Sequence, residues 1–388
     1  MIYKQFKNLQ LSSLGMGAMR LPATGQGYGA PIDYPKATEL IEYAYEHGIN
    51  YYDTSYFYHD GDSERFLGKT MARFPRDSWY LSSKLPGNLM SFNDGKLEVS
   101  GKAFSSPLDV FDFQMERCGV DYFDFFMLHN VSENTYGIYT SEKLGIIDCL
   151  LEQKAKGRIR HLGFSSHGRP DTIEKFLNYL AARDCKDFEF ALIQMNYMDW
   201  TLQEAGKKYD ILTKHGLSVF VMEPLRGGKL VNLKADAEAM LKAARPEDSQ
   251  AAWAFRYLQS FDNIPVILSG MSTLEQLKEN LSLFSKHNPV TKDDIALLKQ
   301  VRETITELVP CTACRYCVEG CPQNLDIPML LTMYNEAGYD MGWFLNVAIK
   351  TLKNEEKPSA CILCGNCNPL CPQNIDIPRA MKAFSEMI

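Results

Sequence analysis

Eight of the eleven cysteines lie in two short clusters near the C-terminus, and their spacing is typical of metal ligands. The first cluster reads Cys311-x-x-Cys314-x-x-Cys317-x-x-x-Cys321-Pro-Gln-Asn, and fifty residues later it recurs as Cys361-x-x-Cys364-x-x-Cys367-x-x-x-Cys371-Pro-Gln-Asn. We recognise no export signal at the start of the sequence, so we expect these thiols to stay reduced and to bind metal. Zinc is one alternative, although tetrahedral zinc sites usually pair two C-x2-C steps and need no third cysteine followed by Cys-Pro.

The repeated pattern resembles the bacterial ferredoxins that carry two [4Fe-4S] clusters, over about residues 305–388. This resemblance implies two cubane clusters, each completed by the Cys-Pro cysteine of the other repeat. The two ligand sets would be Cys311, Cys314, Cys317 and Cys371, and Cys361, Cys364, Cys367 and Cys321. The spacer, with Leu330 to Tyr334 and Trp343 to Leu352, is long and helix-like, which favours a mainly helical form of the module. Helices are also predicted at the two Ile-Pro steps, because Pro328 or Pro378 in a first turn removes no needed N–H.

A second set of reactive side chains lies at the ends of apolar, strand-like runs. Asp53, Lys84 and His129 each end or follow such a run, and Tyr58 comes five residues after Asp53. Taken singly, the tyrosine could be packing, the lysine solvated and the histidine structural. If the runs are parallel strands of a barrel, however, their carboxyl ends meet at one face, which is where the active sites of barrels lie.

The elements that would position these residues alternate between strand-like and helix-like from residue 11 to about 285. Eight strands are predicted: Leu14 to Met19, Tyr51 to Asp53, Tyr80 to Lys84, Phe123 to Leu128, His161 to Phe164, Ala191 to Gln194, Leu217 to Met222 and Val266 to Leu268. Lys36 to His47 and Leu274 to Phe284 show the apolar spacing of helices. This rhythm predicts an α/β protein with a (β/α)8 TIM barrel. An open doubly wound sheet would carry a Gly-x-Gly-x-x-Gly turn after its first strand, which Leu14-Gly-Met-Gly-Ala-Met does not supply.

We place the domain boundary in the charged, helix-like stretch from Lys292 to Leu308, which ends at Pro310. Residues 1–290 would then form the barrel. Residues 291–388 would form a small, mainly helical, ferredoxin-like iron-sulfur domain.

In their order and at consecutive strand ends, Asp53, Tyr58, Lys84 and His129 resemble the catalytic tetrad of the aldo-keto reductases. The resemblance covers about residues 1–285 and implies hydride transfer between NAD(P)H and a carbonyl or related small substrate. Hydride addition creates an alkoxide that must be protonated, and Tyr58 would be the acid. Lys84 would lower the pKa of Tyr58, Asp53 would hold Lys84 charged, and His129 would orient the substrate oxygen.

The same resemblance implies a nicotinamide dinucleotide across the barrel mouth. The carboxamide would be held by Ser165, Ser166 and Gln194, and the ring would lie near Met222. The diphosphate and adenosine would be held by Pro224, Leu225, Gly227, Gly270, Ser272, Gln276 and Asn280. Met222 stands where the family often stacks a tyrosine, and Gly270 and Gln276 stand where a lysine and an arginine commonly grip the 2′-phosphate. NADPH, NADH and a flavin such as FMN therefore stay open.

Joining the two parts raises a question of electron count, because a hydride carries two electrons and a cubane cluster normally accepts one. Three hypotheses follow. The first is an aldo-keto reductase-like NAD(P)H oxidoreductase whose clusters transfer electrons or serve assembly. The second is a flavin-dependent reductase on the same barrel, fed by a ferredoxin or another redox partner. The third is a non-catalytic electron-transfer subunit. The presence of all four tetrad residues argues against it.

Charge and hydropathy limit the classes of partner that we expect for this protein. A net charge of -7 argues against nucleic acid, because phosphate binding needs a basic surface. No run approaches the roughly 20 apolar residues of a membrane-spanning helix, so we expect no membrane partner and a cytoplasmic location. Residues 86–107 and 131–144 would overhang the barrel mouth and select a small-molecule substrate. Tyr56, Phe57 and Trp200 either line an aromatic pocket there or simply pack.

Overall fold

The computed structural model describes residues 1–25, 30–93, 96–305, 309, 311, 315–339, 341–371 and 373–388. Their contacts divide the chain into two units. The first unit comprises Met1–Asn196, Glu204–Val231 and Ala251–Val290, and the second comprises Tyr197–Gln203, Asn232–Gln250 and Thr291–Ile388. Cys314, one of the predicted cluster ligands, lies outside the described residues.

The described residues contain thirteen strands and sixteen α-helices. The strands are β1 Tyr3–Phe6, β2 Leu9–Ser12, β3 Leu14–Gly17, β4 Tyr51–Asp53, β5 Tyr80–Leu85, β6 Met90–Asn93, β7 Lys96–Val99, β8 Lys102–Phe104, β9 Phe123–Leu128, β10 Ile159–Ser166, β11 Phe188–Gln194, β12 Ser218–Met222 and β13 Ile267–Ser269. The helices are α1 Tyr34–Glu46, α2 Asp62–Met71, α3 Pro107–Cys118, α4 Tyr136–Tyr139, α5 Ile146–Ala155, α6 Pro170–Ala182, α7 Asp199–Leu202, α8 Ala205–Lys214, α9 Ala235–Ala244, α10 Gln250–Gln259, α11 Leu274–Leu283, α12 Lys292–Ile305, α13 Tyr316–Glu319, α14 Ile327–Tyr339, α15 Trp343–Thr351 and α16 Ile377–Met387.

Eight parallel strands close into a barrel in the order β10-β11-β12-β13-β3-β4-β5-β9. Closure excludes the open doubly wound sheet and confirms the predicted (β/α)8 class. All eight strands lie within a few residues of their predicted positions. Strands such as β9 are buried throughout, as expected for parallel strands that are covered on both faces.

Two features of the first unit escaped the sequence analysis. The antiparallel pair β1–β2 precedes the barrel, and Phe6 packs in the same buried cluster as the barrel residues Tyr51, Phe125, Phe190 and Phe220. The predicted loop 86–107 contains the antiparallel strands β6, β7 and β8. These strands are short and depend on one another for pairing, so their local signal is weak.

The second unit is helical in its described residues, as predicted for the C-terminal module. Leu330, Leu331, Ile349, Met381 and Phe384 belong to its buried core, in which helices α14 and α16 pack together. Helices α14 and α16 begin at the two Ile-Pro steps, as expected. Asp376 caps α16 by accepting a hydrogen bond from the backbone N–H of Arg379 at 3.3 Å. The placement of a domain boundary at residue 290 remains a prediction.

Candidate active site and cluster-binding loops

Three of the four predicted catalytic residues are in direct contact at the carboxyl ends of β4 and β5. The ammonium of Lys84 donates to Asp53 Oδ1 at 2.5 Å and to the Thr54 carbonyl at 2.7 Å. Its distance to the Tyr58 hydroxyl is 3.5 Å. Lys84 is only 1% exposed and Asp53 only 3%, so the ion pair is isolated from solvent. Because β4 and β5 are neighbours in the sheet, their ends bring these residues together.

His129 follows β9, the strand next to β5, and faces Tyr58. The two ring centroids are 6.3 Å apart and the rings are nearly perpendicular. Phe57 stacks on the imidazole at 5.0 Å, and the Ser55 hydroxyl lies 3.0 Å from Nδ1. With Nδ1 engaged by Ser55, Nε2 is the imidazole nitrogen left for a substrate oxygen.

Burial governs the protonation of all four groups. It raises the pKa of Asp53 and lowers the pKa of Lys84, while the attraction between the two opposes both shifts. Burial also lowers the pKa of His129 well below its usual range, and the charges of Lys84 and His167 add to that effect. His129 is therefore neutral at neutral pH.

That Lys84 lowers the pKa of Tyr58 remains a prediction, and the net shift of this pKa in the protein is upward. Burial raises the pKa of this phenol well above its ordinary value, and the carboxylates of Asp53 and Glu223 raise it further. Lys84 makes its short contacts with Asp53 and Thr54 and lies farther from the phenol oxygen. Tyr58 consequently retains its proton throughout the neutral range.

The residues predicted to hold the nicotinamide end lie across the same mouth, on strands β10, β11 and β12. Ser165 and Ser166 are buried, and their hydroxyls already bond to the backbone: Ser165 Oγ accepts from Asn130 N at 2.8 Å and Ser166 Oγ donates to the Val131 carbonyl at 2.6 Å. Gln194 ends β11, and its side chain bonds to His167. Met222 ends β12 and is partly exposed. The two serines thus shape the loop after β9.

The positions predicted for the diphosphate and adenosine lie after β12 and β13. Pro224 and Leu225 lead into Gly227, whose φ of +63° lies in the left-handed region. Gly270 and Ser272 precede α11, and the Ser272 N–H donates to Gln276 Oε1 at 2.8 Å. Asn280 is buried and donates to Ser269 Oγ at 3.2 Å, so its side chain stabilises the carboxyl end of β13.

Several residues at the mouth were not identified from sequence. Arg20 packs against Gly270, where an added Cβ would come within 3.2 Å of its side chain, and its guanidinium is 3.9 Å from Glu223. Glu223 itself has a φ of +55°, which is uncommon for a residue with a side chain. Ser55 was within reach of sequence reasoning, because it lies two residues after Asp53. Arg20 and Glu223 join the site only through barrel closure.

The aromatic residues near the mouth separate into different roles. Phe57 stacks on His129 and therefore borders the site. Tyr56 is buried, with the Arg117 guanidinium 4.8 Å from its ring centroid, which is a packing role. Trp200 belongs to the second unit.

The cysteines of the second unit line two cavities, and each cavity draws on both repeats. One cavity is lined by Cys361, Cys364 and Cys367 together with Cys321. The other is lined by Cys311 and Cys317 together with Cys371. Burial raises the pKa of the Cys367 thiol to about 11, and the neighbouring Cys361, Cys321 and Cys364 add to this shift.

The cysteines that line each cavity come from both repeats, which is the arrangement expected for the crossed ligands of two iron-sulfur clusters. In the part of the chain that the structure describes, no group of three or more His, Cys, Asp or Glu side chains is arranged to hold a single metal ion. A tetrahedral zinc site gathers its ligands around one centre, whereas the thiolates of a cubane each bind a different iron of a bulky cluster. Cysteines spread around a cavity therefore favour the iron-sulfur interpretation.

Among the described residues, no helix has both the length and the apolar character needed to cross a bilayer.

Comparisons with known proteins agree with this architecture. The family model for the aldo/keto reductase family matches residues 13–303, and a model for a 4Fe-4S dicluster domain matches residues 310–376. A probable aldo-keto reductase 1 of Glycine max is 25% identical over 241 residues, which are 61% of this chain and 64% of that protein. An NADH-specific methylglyoxal reductase of Escherichia coli is 22% identical over 330 residues, which are 77% of this chain and 97% of that protein.

The fold is likewise shared with a solved structure. The holo form of aldo-keto reductase AKR11C1 from Bacillus halodurans superposes with a TM-score of 0.60 at 23% identity, covering 78% of this chain and 96% of that one. The aldo/keto reductase model matches well over half of the residues, which is sufficient to assign the family. The chain belongs to the aldo/keto reductase family, and its oxidoreductase barrel is followed by a 4Fe-4S dicluster domain.

Proposed function

We propose that this protein reduces the carbonyl group of a small-molecule substrate with NAD(P)H and carries two [4Fe-4S] clusters for electron transfer. The observation that supports the reaction most directly is the contact of Lys84 with both the Asp53 carboxylate and the Tyr58 hydroxyl at the barrel mouth. The set combines a neutral acid, a cation beside it and a carboxylate that fixes the cation. Such a set suits protonation of an alkoxide as it forms.

Each of the four side chains has a distinct role in this proposal. Tyr58 donates its proton to the substrate oxygen. Lys84 stabilises the phenolate that remains, and Asp53 keeps Lys84 charged and aimed despite its burial. His129 directs a neutral N–H at the same oxygen, with its ring fixed by Ser55 and Phe57.

The nucleotide would lie over strands β10 to β13, next to the tetrad strands. When bound, the nicotinamide supplies the hydride. Gln194 and Met222 would contact the nicotinamide end, and the turn at Gly227 together with the start of α11 would face the phosphates. Arg20 is the cation that packs on Gly270, where the family pattern would place a lysine. The choice between NADPH and NADH therefore depends on whether Arg20 reaches a 2′-phosphate.

The cluster ligands follow the two cavities. One cluster would take Cys361, Cys364, Cys367 and Cys321, which line one cavity together. The other would take Cys311, Cys317 and Cys371, with Cys314 as the fourth ligand. Electrons would be exchanged with a ferredoxin or another one-electron partner, and the cluster domain would begin near residue 291.

The test of the carbonyl chemistry is the variant Tyr58→Phe, assayed with methylglyoxal and a panel of aldehydes and with NADPH or NADH. Methylglyoxal is included because one relative is named as its NADH-specific reductase. We expect kcat to fall by about 10²- to 10⁴-fold, the usual worth of a general acid. The dissociation constant of the nucleotide should change little, because the phenol is not one of its proposed contacts.

A matched control is Tyr52→Phe. This variant removes a different buried tyrosine hydroxyl, which belongs to β4, the strand that precedes the Tyr58 turn. The Tyr52 hydroxyl donates to the Ile49 carbonyl at 3.0 Å and not to a tetrad residue among those the structure describes, so this variant should keep normal kcat. Equal turnover in the Tyr58→Phe variant and the parent would remove Tyr58 from the role. No reduction of any aldehyde by the parent with either nucleotide would contradict the proposed function.

A further inference from the structure

The turn that carries Tyr58 has an unusual backbone. Three consecutive residues after the tyrosine adopt positive φ angles: His59 at +51°, Asp60 at +53° and Gly61 at +82°. Left-handed backbone is unfavourable for residues with a Cβ and persists only where the surroundings hold it. Something must therefore fix this turn.

Arg117, on α3, bonds to both sides of the turn. Its Nη2 donates to the Tyr56 carbonyl at 2.7 Å and to the Gly61 carbonyl, so Tyr58 lies between two anchored carbonyl groups. The Arg117 side chain is only 6% exposed. Nη2 donates both of these bonds while Nε faces the Glu64 carboxylate, and a lysine ammonium, which has a single nitrogen, cannot occupy both positions.

The buried carboxylate of Glu64 holds Arg117 in this position. Glu64 Oε2 lies 3.1 Å from Arg117 Nε, and the Glu64 side chain has no exposure to solvent. Glu64 Oε1 accepts from Ser83 and from Gln114, each at 2.6 Å. Ser83 precedes Lys84 on β5, so one buried network reaches both the Tyr58 turn and the Lys84 strand.

Gly61 is matched to the guanidinium. A Cβ added at this position would lie 2.0 Å from Arg117 Nη2, and the φ of Gly61 also disfavours a side chain. The turn and the arginine thus fit one another closely at the point where Tyr58 is presented.

We propose that Arg117 is a positioning residue, which clamps the Tyr56–Gly61 turn through its two carbonyl groups and so sets the place of the Tyr58 hydroxyl. Arg117 bonds to the backbone on either side of Tyr58, whereas the Tyr58 hydroxyl itself is in contact with Lys84. This inference rests on the proposed function for its kinetic consequence, but the clamp itself does not depend on it.

The protein contains a matched arginine at the opposite end of the barrel. Arg76 also donates to two carbonyls, those of Trp79 at 3.0 Å and Tyr122 at 3.2 Å, and pairs with the buried carboxylate of Asp124 at 2.6 Å. These residues lie at the amino ends of β5 and β9. Arg76→Lys therefore reproduces the loss of a forked guanidinium without touching the tetrad.

The experiment compares Arg117→Lys and Arg76→Lys in the full-length protein, using amide hydrogen exchange and steady-state kinetics. In Arg117→Lys we expect faster exchange in peptides that cover residues 56–61 and a kcat lowered by about 10²-fold, the scale expected for a misplaced catalytic group. The nucleotide dissociation constant and KM should hardly change. Arg76→Lys should leave both exchange at 56–61 and kcat at parental values.

A third variant, Gly61→Ala, tests the same clamp from the other side, because its methyl group displaces the guanidinium while Arg117 is retained. It should reproduce the faster exchange and the lower kcat. Unchanged exchange at 56–61 in Arg117→Lys would overturn the clamp. Faster exchange with parental kcat, or an equal loss of kcat in Arg76→Lys, would overturn the positioning role. An inactive parent would instead count against the proposed function, and hydrogen exchange would still decide the clamp.

Discussion

At the scale of single residues, the site combines one buried ion pair with two groups that burial keeps neutral. Asp53 and Lys84 stabilise each other's charge across 2.5 Å, whereas the Tyr58 hydroxyl lies 3.5 Å from Lys84 and the His129 ring lies 3.0 Å from the uncharged Ser55 hydroxyl. Leaving either charge of the pair alone in this environment would be costly. The arrangement therefore places the Lys84 ammonium and the Tyr58 hydroxyl next to each other, and the carboxylate of Asp53 balances the buried positive charge.

The neutral state of His129 makes a prediction about stability and pH. Its pKa is lowered in the folded protein, so below the unfolded value of about 6.5 the unfolded chain binds a proton that the folded protein refuses. Stability is fully present above about pH 6.5 and is lost as the pH falls, at roughly 1.4 kcal/mol per pH unit for one group.

The measurement is urea unfolding of the parent and of His129→Asn at pH 7 and pH 5. The variant should lose less stability than the parent on acidification, because one refused proton has been removed. His167, whose pKa burial lowers to about 3, is retained in both proteins. Identical pH dependence of the two proteins would show that His129 titrates normally.

At the scale of elements, the two cysteine loops are built alike. Each passes through an asparagine with a φ of +53°, Asn324 in one copy and Asn374 in the other, just after its Cys-Pro step. Earlier in each loop, Arg315 and Gly365 occupy matching positions with φ of +69° and +79°. Each Cys-Pro cysteine lines the cavity of the opposite repeat, so neither loop completes a cavity by itself.

This crossing can be tested with two double variants that each remove two cysteines. The double variant Cys317→Ala with Cys371→Ala removes two of the four proposed ligands of one cluster and none of the other cluster's ligands. Because a cubane needs its four thiolates, the anaerobically purified protein should keep about half of its iron. Cys317→Ala with Cys321→Ala takes one ligand from each cluster and should lose more iron. Uncrossed clusters would give the opposite order, and a zinc protein would contain no iron to lose.

At the scale of the whole molecule, the two kinds of chemistry belong to different units. Asp53, Tyr58, Lys84 and His129 lie in the first unit, whereas the described cysteines of both repeats lie in the second. Among the described residues, the hydrogen bonds that join Lys84 to Asp53, Thr54 and Tyr58, and Ser55 to His129, all lie within the first unit. A protein without clusters should therefore retain the groups needed for carbonyl reduction.

We accordingly expect Cys317→Ala with Cys321→Ala to keep a kcat for aldehyde reduction close to that of the parent, despite its loss of iron. The assay follows nucleotide oxidation together with loss of the aldehyde, and the visible spectrum of each preparation records any flavin. Abolished turnover in a variant with a folded barrel would make the clusters part of the reduction. A flavin that copurifies and is required for turnover would instead favour the flavin-dependent hypothesis.

Sequence alone was sufficient for the features that depend on local pattern. Buried parallel strands read as apolar runs, so the eight strands could be located, and the 3–4 spacing of α1 and α11 marked their helices. Asp53, Lys84 and His129 could be identified because they lie at the ends of those runs. The spacing of the cysteine repeat was sufficient to predict iron-sulfur ligands, since the number and order of ligands are properties of the sequence.

Tertiary structure decided the rest, because it depends on which distant residues meet. Closure of the barrel brings Arg20 to Gly270 and packs Phe6 among the strands, and no local pattern encodes either contact. The direction of the Tyr58 pKa follows from how completely the phenol is buried and from Glu223, which is 165 positions away along the chain. The clamp by Arg117 joins groups about sixty residues apart, and only packing could show that its two carbonyl partners lie on either side of Tyr58.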